Sequence, residues 1–444
     1  MRFLLVVALM CAGCEVCEEL APLPPGDVDQ PQPAPDEGFT LLPLRADITD
    51  VQPQTGIVLW DGADDDEDVK RDGTIALEYA YMKPSDVAVA ADPSGWDWSG
   101  VDALLDRVAS RGHQSIIRFY YVYPGEETAV PDYIKQRNDY FEATAEVEGQ
   151  NTFFPSWGNA ELQRFHLEFY TELAARYDDD PRLAFLQVGF GLWAEYHLYG
   201  VRYELGVQFP TKAFQQEFFA HMSEQFHTLK WSVSIDAADD AYSPLAETPS
   251  MLALDFGLFD DSFMSEEHAA YNAVNWSTLQ FAERFKRVPH GGELSYYSDF
   301  DQAHALDVQG IYGRTFEELA SQFHLSYMIG ADQPQYQSPA RIKEAGRALG
   351  YAFEIVGYSS SLSATHIDIT NTGIAPLYYD AFVVVAGVAS TASLAGLLPG
   401  EVRRIEVPTA ATATSAVRIS GSRLVAGQTI QFRARLTDTV ASAP

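Results

Sequence analysis

Beyond residue 17 this chain has no cysteine: its three, Cys11, Cys14 and Cys17, all lie at the N-terminus. The folded body therefore has no disulfide, no thiol nucleophile and no thiolate metal site. Positive charge is also scarce, with 29 Lys and Arg against 63 Asp and Glu, a formal net charge of -34. That balance excludes a nucleic-acid partner, whose phosphates would be repelled. It disfavours anionic lipid and polyanionic substrates, and otherwise serves solubility. No P-loop, nucleophile-elbow serine or dinucleotide fingerprint occurs, and no internal repeat stands out. The apolar run Phe3–Met10 is too short to span a bilayer by itself.

What is present begins with that run. Arg2 followed by Phe3–Met10 has the form of an export signal, and Cys11-Ala-Gly-Cys14 resembles a bacterial lipobox, with Cys11 where that pattern usually has Leu. The resemblance implies a signal peptide over residues 1–14, lipidation at Cys14 and an envelope-anchored protein. Ordinary signal cleavage is the alternative, and either route takes the chain out of the cytoplasm. Residues 15–40, rich in Pro and acids, predict a stiff solvated tether.

At 444 residues, 47% hydrophobic and 13% aromatic, the remainder can build two domains. Over residues 41–350 apolar runs alternate with amphipathic stretches. Strands are expected at 56–60, 75–82, 115–122, 183–191, 231–236, 252–259, 289–296 and 321–329, the last overlapping a helical pattern at 317–327. Helices are expected at 101–111, 159–177, 212–229 and 277–286. The fold class that follows is α/β: a (β/α)8 TIM barrel with a smaller C-terminal all-β sandwich over residues 351–440. In the sandwich, short strands are separated by Gly, Ser, Asn and Pro turns, one being Asn371–Pro376.

Two runs carry the chemistry. Gly191-Leu-Trp-Ala-Glu195-Tyr-His197 and His290-Gly-Gly-Glu293-Leu-Ser-Tyr296 each follow or close a buried strand. A polar residue at the C-terminal end of a barrel strand faces the mouth. Two carboxylates there are the basic equipment of glycoside hydrolysis; the alternative is a buried ion pair with Arg118 or a strand-end cap. Trp60, Tyr81, Trp193 and Tyr296 are candidate stacking surfaces for sugar rings, though such residues often belong to the core. Trp193 and Tyr196 are expected to cover Glu195, and Arg118 to hold Glu293 ionised. His197, Asp236 and His290 are further substrate-binding candidates. Asp260 and Asp261 are placed after the sixth strand, as hydroxyl ligands or helix caps. A zinc site would draw on Glu195, His197 and His290, but the spacing is not that of a zinc motif. No metal and no cofactor are expected. The acidic run Asp61–Asp68 lacks calcium-loop spacing and reads as a solvated loop.

Three segments, Tyr79–Pro84, Trp96–Arg107 and Arg111–Arg118, with Arg176–Gly189 further on, resemble the barrel of clan A glycoside hydrolases. The whole layout also resembles a bacterial secreted family of uncharacterised function with Gly-x-Trp-Gly-Glu-x-His and Gly-Gly-Glu motifs. The first resemblance implies a retaining enzyme, with Glu195 as acid/base ending the fourth strand and Glu293 as nucleophile ending the seventh. That clan usually places Asn before the acid/base, where this chain has Ala194. The expected function is hydrolysis of a carbohydrate substrate. The alternatives are a non-catalytic glycan-binding lipoprotein and a metal-dependent barrel hydrolase.

Overall fold

A computed structural model describes residues 29–62, 69–70 and 72–441. The export signal, Cys14 and most of the acidic run after Asp61 lie outside the described residues. Three short strands come first: β1 (Gln30–Gln32), β2 (Thr40–Leu41) and β3 (Leu44–Ala46). None belongs to the barrel. The expectation of a solvated tether up to residue 40 is thus corrected, because β1 pairs with the C-terminal strand of the other domain. The buried Gln32 side chain fixes the register: its amide donates to Leu42 O at 2.7 Å and its Oε1 accepts from Tyr358 N at 2.7 Å.

The barrel strands are β4 (Gly56–Trp60), β5 (Leu77–Met82), β6 (Gln114–Phe119), β9 (Leu183–Gln187), β10 (Lys230–Ser234), β11 (Gly257–Phe263), β12 (His290–Leu294) and β13 (Tyr327–Ile329). A hairpin, β7 (Glu142–Val147) and β8 (Gln150–Pro155), is inserted after β6. All eight barrel strands are parallel and the sheet closes, β13 pairing with β4. Strands buried on both faces read as continuous apolar runs, which is why they were legible.

Several expected boundaries move. The sixth strand starts at Gly257, Leu252 lying in a short 3-10 turn, so Asp260 and Asp261 are on the strand rather than after it. The last strand shrinks to Tyr327–Ile329, because a capping box of Thr315 and Glu318 starts a helix over Phe316–Phe323. The helix expected at 277–286 is split into Ala269–Thr278 and Phe281–Arg284 by Gln280 in a left-handed conformation.

Strands β14 (Phe353–Ser360), β15 (Thr365–Asn371), β16 (Ala381–Val385), β17 (Val388–Ser393), β18 (Val402–Val407), β19 (Val417–Gly421) and β20 (Phe432–Val440) form the C-terminal domain. One sheet runs β1-β20-β14-β15-β18, the other β17-β16-β19. Asn371, which ends β15, is buried and fully bonded: its amide donates to Ala375 O and Leu397 O, and its Oδ1 accepts from Ala352 N and Gly373 N. This domain closes the barrel floor. Tyr379 enters at the start of β9 and β10, donating to Ala184 O at 2.7 Å and accepting from Lys230 N at 3.1 Å. Its ring joins Val58, Leu77, Ile116, Phe185 and Tyr327 in the barrel interior. Arg423 stacks on the ring and donates to Asp178 O, Asp180 O and Leu183 O. The domain therefore braces the floor, opposite the strand ends that carry the polar residues.

Candidate active site

Arg118 is the hub. It sits on β6 between Tyr81 and Gln187 in register, fully buried. Its Nε donates to Gln187 Oε1 at 2.8 Å, and Gln187 in turn donates to the Tyr327 hydroxyl at 2.9 Å. Nη1 donates to Glu195 Oε1 at 2.6 Å, to Tyr81 Oη at 3.0 Å and to Trp193 O at 3.2 Å. The planar group lies over the Phe259 ring. A fixed, planar fork suits such a buried position better than lysine's flexible stem. Nη2 has no hydrogen-bond partner among the described residues, although it is buried.

Glu293 lies on β12, opposite Ile329 of β13. The two glycines before it are there for packing. A Cβ on Gly291 would stand 2.1 Å from the Tyr327 ring, which crosses the barrel at that level. Glu195 is placed differently from expectation. Its strand, β9, ends at Gln187, and Glu195 follows eight positions later in a tight loop. Leu192 bridges to Val122 beyond β6, Phe190 and Gly191 both donate to Glu195 O, and Leu192 donates to His197 O. Trp193 and Ala194 take left-handed conformations, φ 53° and 58°. A Cβ on Gly191 would meet His197 O at 2.2 Å, so this loop requires glycine there.

Two pairings differ from the sequence reading. Arg118 contacts Glu195, not Glu293, because the loop folds Glu195 back over β6. Ala194, at the position usually held by Asn in clan A, is buried and offers no polar side chain. Tyr196 also turns away, packing on Phe190, Phe209 and Phe219. His290 is corrected too. It starts β12 with its ring against Trp276 and Nδ1 at 2.8 Å from Phe323 O, outside the barrel wall, and burial drives its pKa down to about 3.

His197 does enter the mouth. Its Nδ1 is 2.9 Å from Asp236 Oδ2, 3.7 Å from Glu195 Oε2 and 3.8 Å from Asp261 Oδ2. Burial opposes its charge, but the bond to Asp236 and the fields of Glu195 and Asp261 raise its pKa to about 9. Asp261 is held by Ser234 at 3.0 Å and Asp236 by Asn275 at 3.4 Å. Asp260, on the outer face, accepts from Asn272 and Trp276. Trp60 and Tyr81 line the upper barrel beside the fully buried Tyr79. Trp193 is half-buried near Tyr123 and His197, and Tyr296 is exposed at the rim.

Carboxyls outnumber cations in this mouth, and burial makes the excess costly to ionise. Glu195 is pushed well above the usual carboxylate range by burial and by Asp261, against Arg118 and His197. Burial lifts Glu293 to about 7, with Arg118 opposing. Asp261 rises to about 6, through burial and Asp236. Burial thus raises both carboxyls, and the Arg118 charge, bonded to Glu195 and acting on Glu293 through its field, opposes the rise in each. Glu195, His197 and Asp261 also have ligand atoms within 4.8 Å of one another, close enough to hold a metal ion.

Asp261 gained its importance only with the structure. The strand boundary, read four residues early, put it in a loop; alternation from Phe259 along β11 was the available signal. Gln187 and Tyr327, which support Arg118, carried no local signal at all.

The closed parallel barrel is the fold implied by the resemblance to clan A glycoside hydrolases, and the all-β companion is the one read from the change of texture after residue 350. No protein-family profile matches the chain, and no curated protein does. Solved structures that it is similar to include an alpha-galactosidase from Thermus thermophilus, at 14% identity and TM-score 0.40, covering 71% of this chain and 66% of that one. Endo-glycoceramidase II from a Rhodococcus species matches at 11% identity and TM-score 0.42, over 86% of this chain and 100% of that one. The catalytic domain of a beta-amylase from Paenibacillus polymyxa matches at 10% identity and TM-score 0.42, over 68% and 99%.

Proposed function

We propose that this protein is an exported glycoside hydrolase that cleaves an O-glycosidic bond with retention. One observation carries the reading: Glu195, bonded to the buried Arg118 at 2.6 Å, and Glu293, within the field of the same guanidinium, are two buried carboxyls of raised proton affinity in one barrel. Glu195 gives its proton to the leaving oxygen while Glu293 attacks the anomeric carbon. Glu195 then takes a proton from the water that releases the glycosyl-enzyme. Trp60, Tyr81, Trp193 and Tyr296 bound the sugar, and His197 with Asp236 holds the hydroxyl side. Export and lipidation at Cys14 rest on the N-terminal pattern, and a Cys14→Ala variant recovered unlipidated would support that assignment.

The test is turnover of aryl glycosides across a panel of sugars, with the product anomer followed by NMR. Glu195→Gln and Glu293→Gln should each lower the rate by roughly 10²–10⁴-fold or more while the fold survives. Full activity in either variant would remove that residue from its role. Binding of sugar without any turnover would favour the glycan-binding alternative. The approach of Glu195, His197 and Asp261 within 4.8 Å supports a second reading, a metal-dependent hydrolase. Activity lost on chelation and restored by Zn²⁺ or Mn²⁺ would move the assignment there.

A further inference from the structure

The loop after β12 leads from the candidate nucleophile to a row of exposed aromatic rings. Tyr296, Tyr297, Phe300 and Tyr312 are 44–57% exposed, a high value for four large rings close together in sequence. Tyr296 lies near enough to Glu293 to feel its charge. Tyr297 packs on His268 from the loop after β11, with ring centroids 5.0 Å apart. Phe300 packs on His304 at 4.5 Å and on Tyr312 at 5.9 Å. The Tyr312 hydroxyl donates to Asp301 at 2.6 Å, and Glu267 engages the Tyr297 hydroxyl. With their hydroxyls occupied at one edge, these rings offer faces rather than hydrogen bonds.

We infer that this row is a platform for an extended, neutral polysaccharide, placing the chain among hydrolases of polymers rather than of terminal residues only. The inference rests on the hydrolase reading and adds the substrate class. The occupant follows from three observations. The segment that carries the rings follows β12, and its first ring, Tyr296, three residues after Glu293, lies within the Glu293 field, so a polymer passing Glu293 meets it. Apolar ring faces are interspersed with exposed acids, Glu266, Glu267 and Asp299, matching the alternation of C–H faces and hydroxyl edges on a sugar chain. The same acids, and a net charge of -34, repel a polyanion. An apolar protein partner would gain little from rings set among carboxylates that it must desolvate.

Native gels cast with soluble neutral polysaccharides (hydroxyethyl cellulose, xyloglucan, galactomannan, mixed-linkage glucan) test this on the full chain, with polygalacturonate as the anionic control. Retardation is expected in at least one neutral gel and not in the anionic one. Tyr297→Ala and Phe300→Ala should each weaken it at least fivefold, Phe300→Trp should retain it, and Leu362→Ala on the distant sandwich should leave it unchanged. Glu293→Gln should still be retarded, because the platform does not need the nucleophile. Retardation of a wild type that hydrolyses no glycoside would sustain the platform and defeat the hydrolase. Turnover of aryl glycosides without retardation by any neutral gel would overturn the platform alone. Concentration-dependent self-association through these rings, without polysaccharide binding, would overturn it as well.

Discussion

Glu195 and Glu293 face one mouth but are held by opposite means. Glu293 stands on β12, where parallel ladders on both sides dictate its direction. Glu195 stands in a loop eight positions past its strand, held by backbone turns, a bridge to Val122 and two left-handed residues. A strand position is fixed by the whole sheet, so disturbing it costs the fold. A loop position is fixed by a few local contacts, so disturbing it costs alignment first. Both devices depend on glycine, which makes the contrast measurable.

The largest expected effects come from breaking each glycine in turn. Gly291→Ala forces a methyl into the Tyr327 ring inside a closed barrel, and should cost about 3 kcal/mol or more in chemical denaturation. Gly191→Ala should cost less stability, about 1–3 kcal/mol, yet lower kcat/KM by roughly 10²-fold as Glu195 shifts. Equal losses of stability and activity in both variants would erase the distinction.

A second contrast lies in pH. Glu293 at about 7, against an ordinary 4.5, binds its proton more tightly when folded. Its contribution to stability is present below pH 4.5 and is lost as pH rises through 7. Glu293→Gln should therefore match the parent near pH 4 and exceed it at pH 8, by at most about 3 kcal/mol. Thermal melts at both pH values decide this, and a gain at pH 4 alone would reverse the sign. The rising limb of kcat/KM, where the nucleophile ionises, should fall near the same pH.

His197 is raised to about 9, so its charge supports the fold below pH 6.5 and that support is lost as pH passes 9. His197→Gln should remove the midpoint near 9 from the stability profile and raise KM more than it lowers kcat. The smallest effect is expected from Ala194→Gly, which relieves the left-handed conformation but loosens the unfolded chain. Stability should stay within about 1 kcal/mol of the parent.

Much of this was written in the sequence. The eight buried runs, the change of texture after residue 350 and the two glutamate motifs are local features. Buried parallel strands are continuously apolar, and short antiparallel strands are punctuated by turns. Where the reading failed, the deciding contact was remote. The stretch around Gln32 became a strand because β20, some four hundred residues later, offered an edge. His290, one position before the Gly-Gly-Glu run, lies on the opposite face of β12 from Glu293 by alternation and packs on Trp276. By itself the sequence determined the eight barrel strands and their order and the placement of Glu293 on the seventh, since periodicity and turn chemistry act between neighbours. Only the tertiary structure decided that Arg118 meets Glu195, that His197 gathers Asp236 and Asp261, and that Tyr379 seals the floor. Those pairings follow from barrel closure, which brings distant segments together with no trace in local pattern.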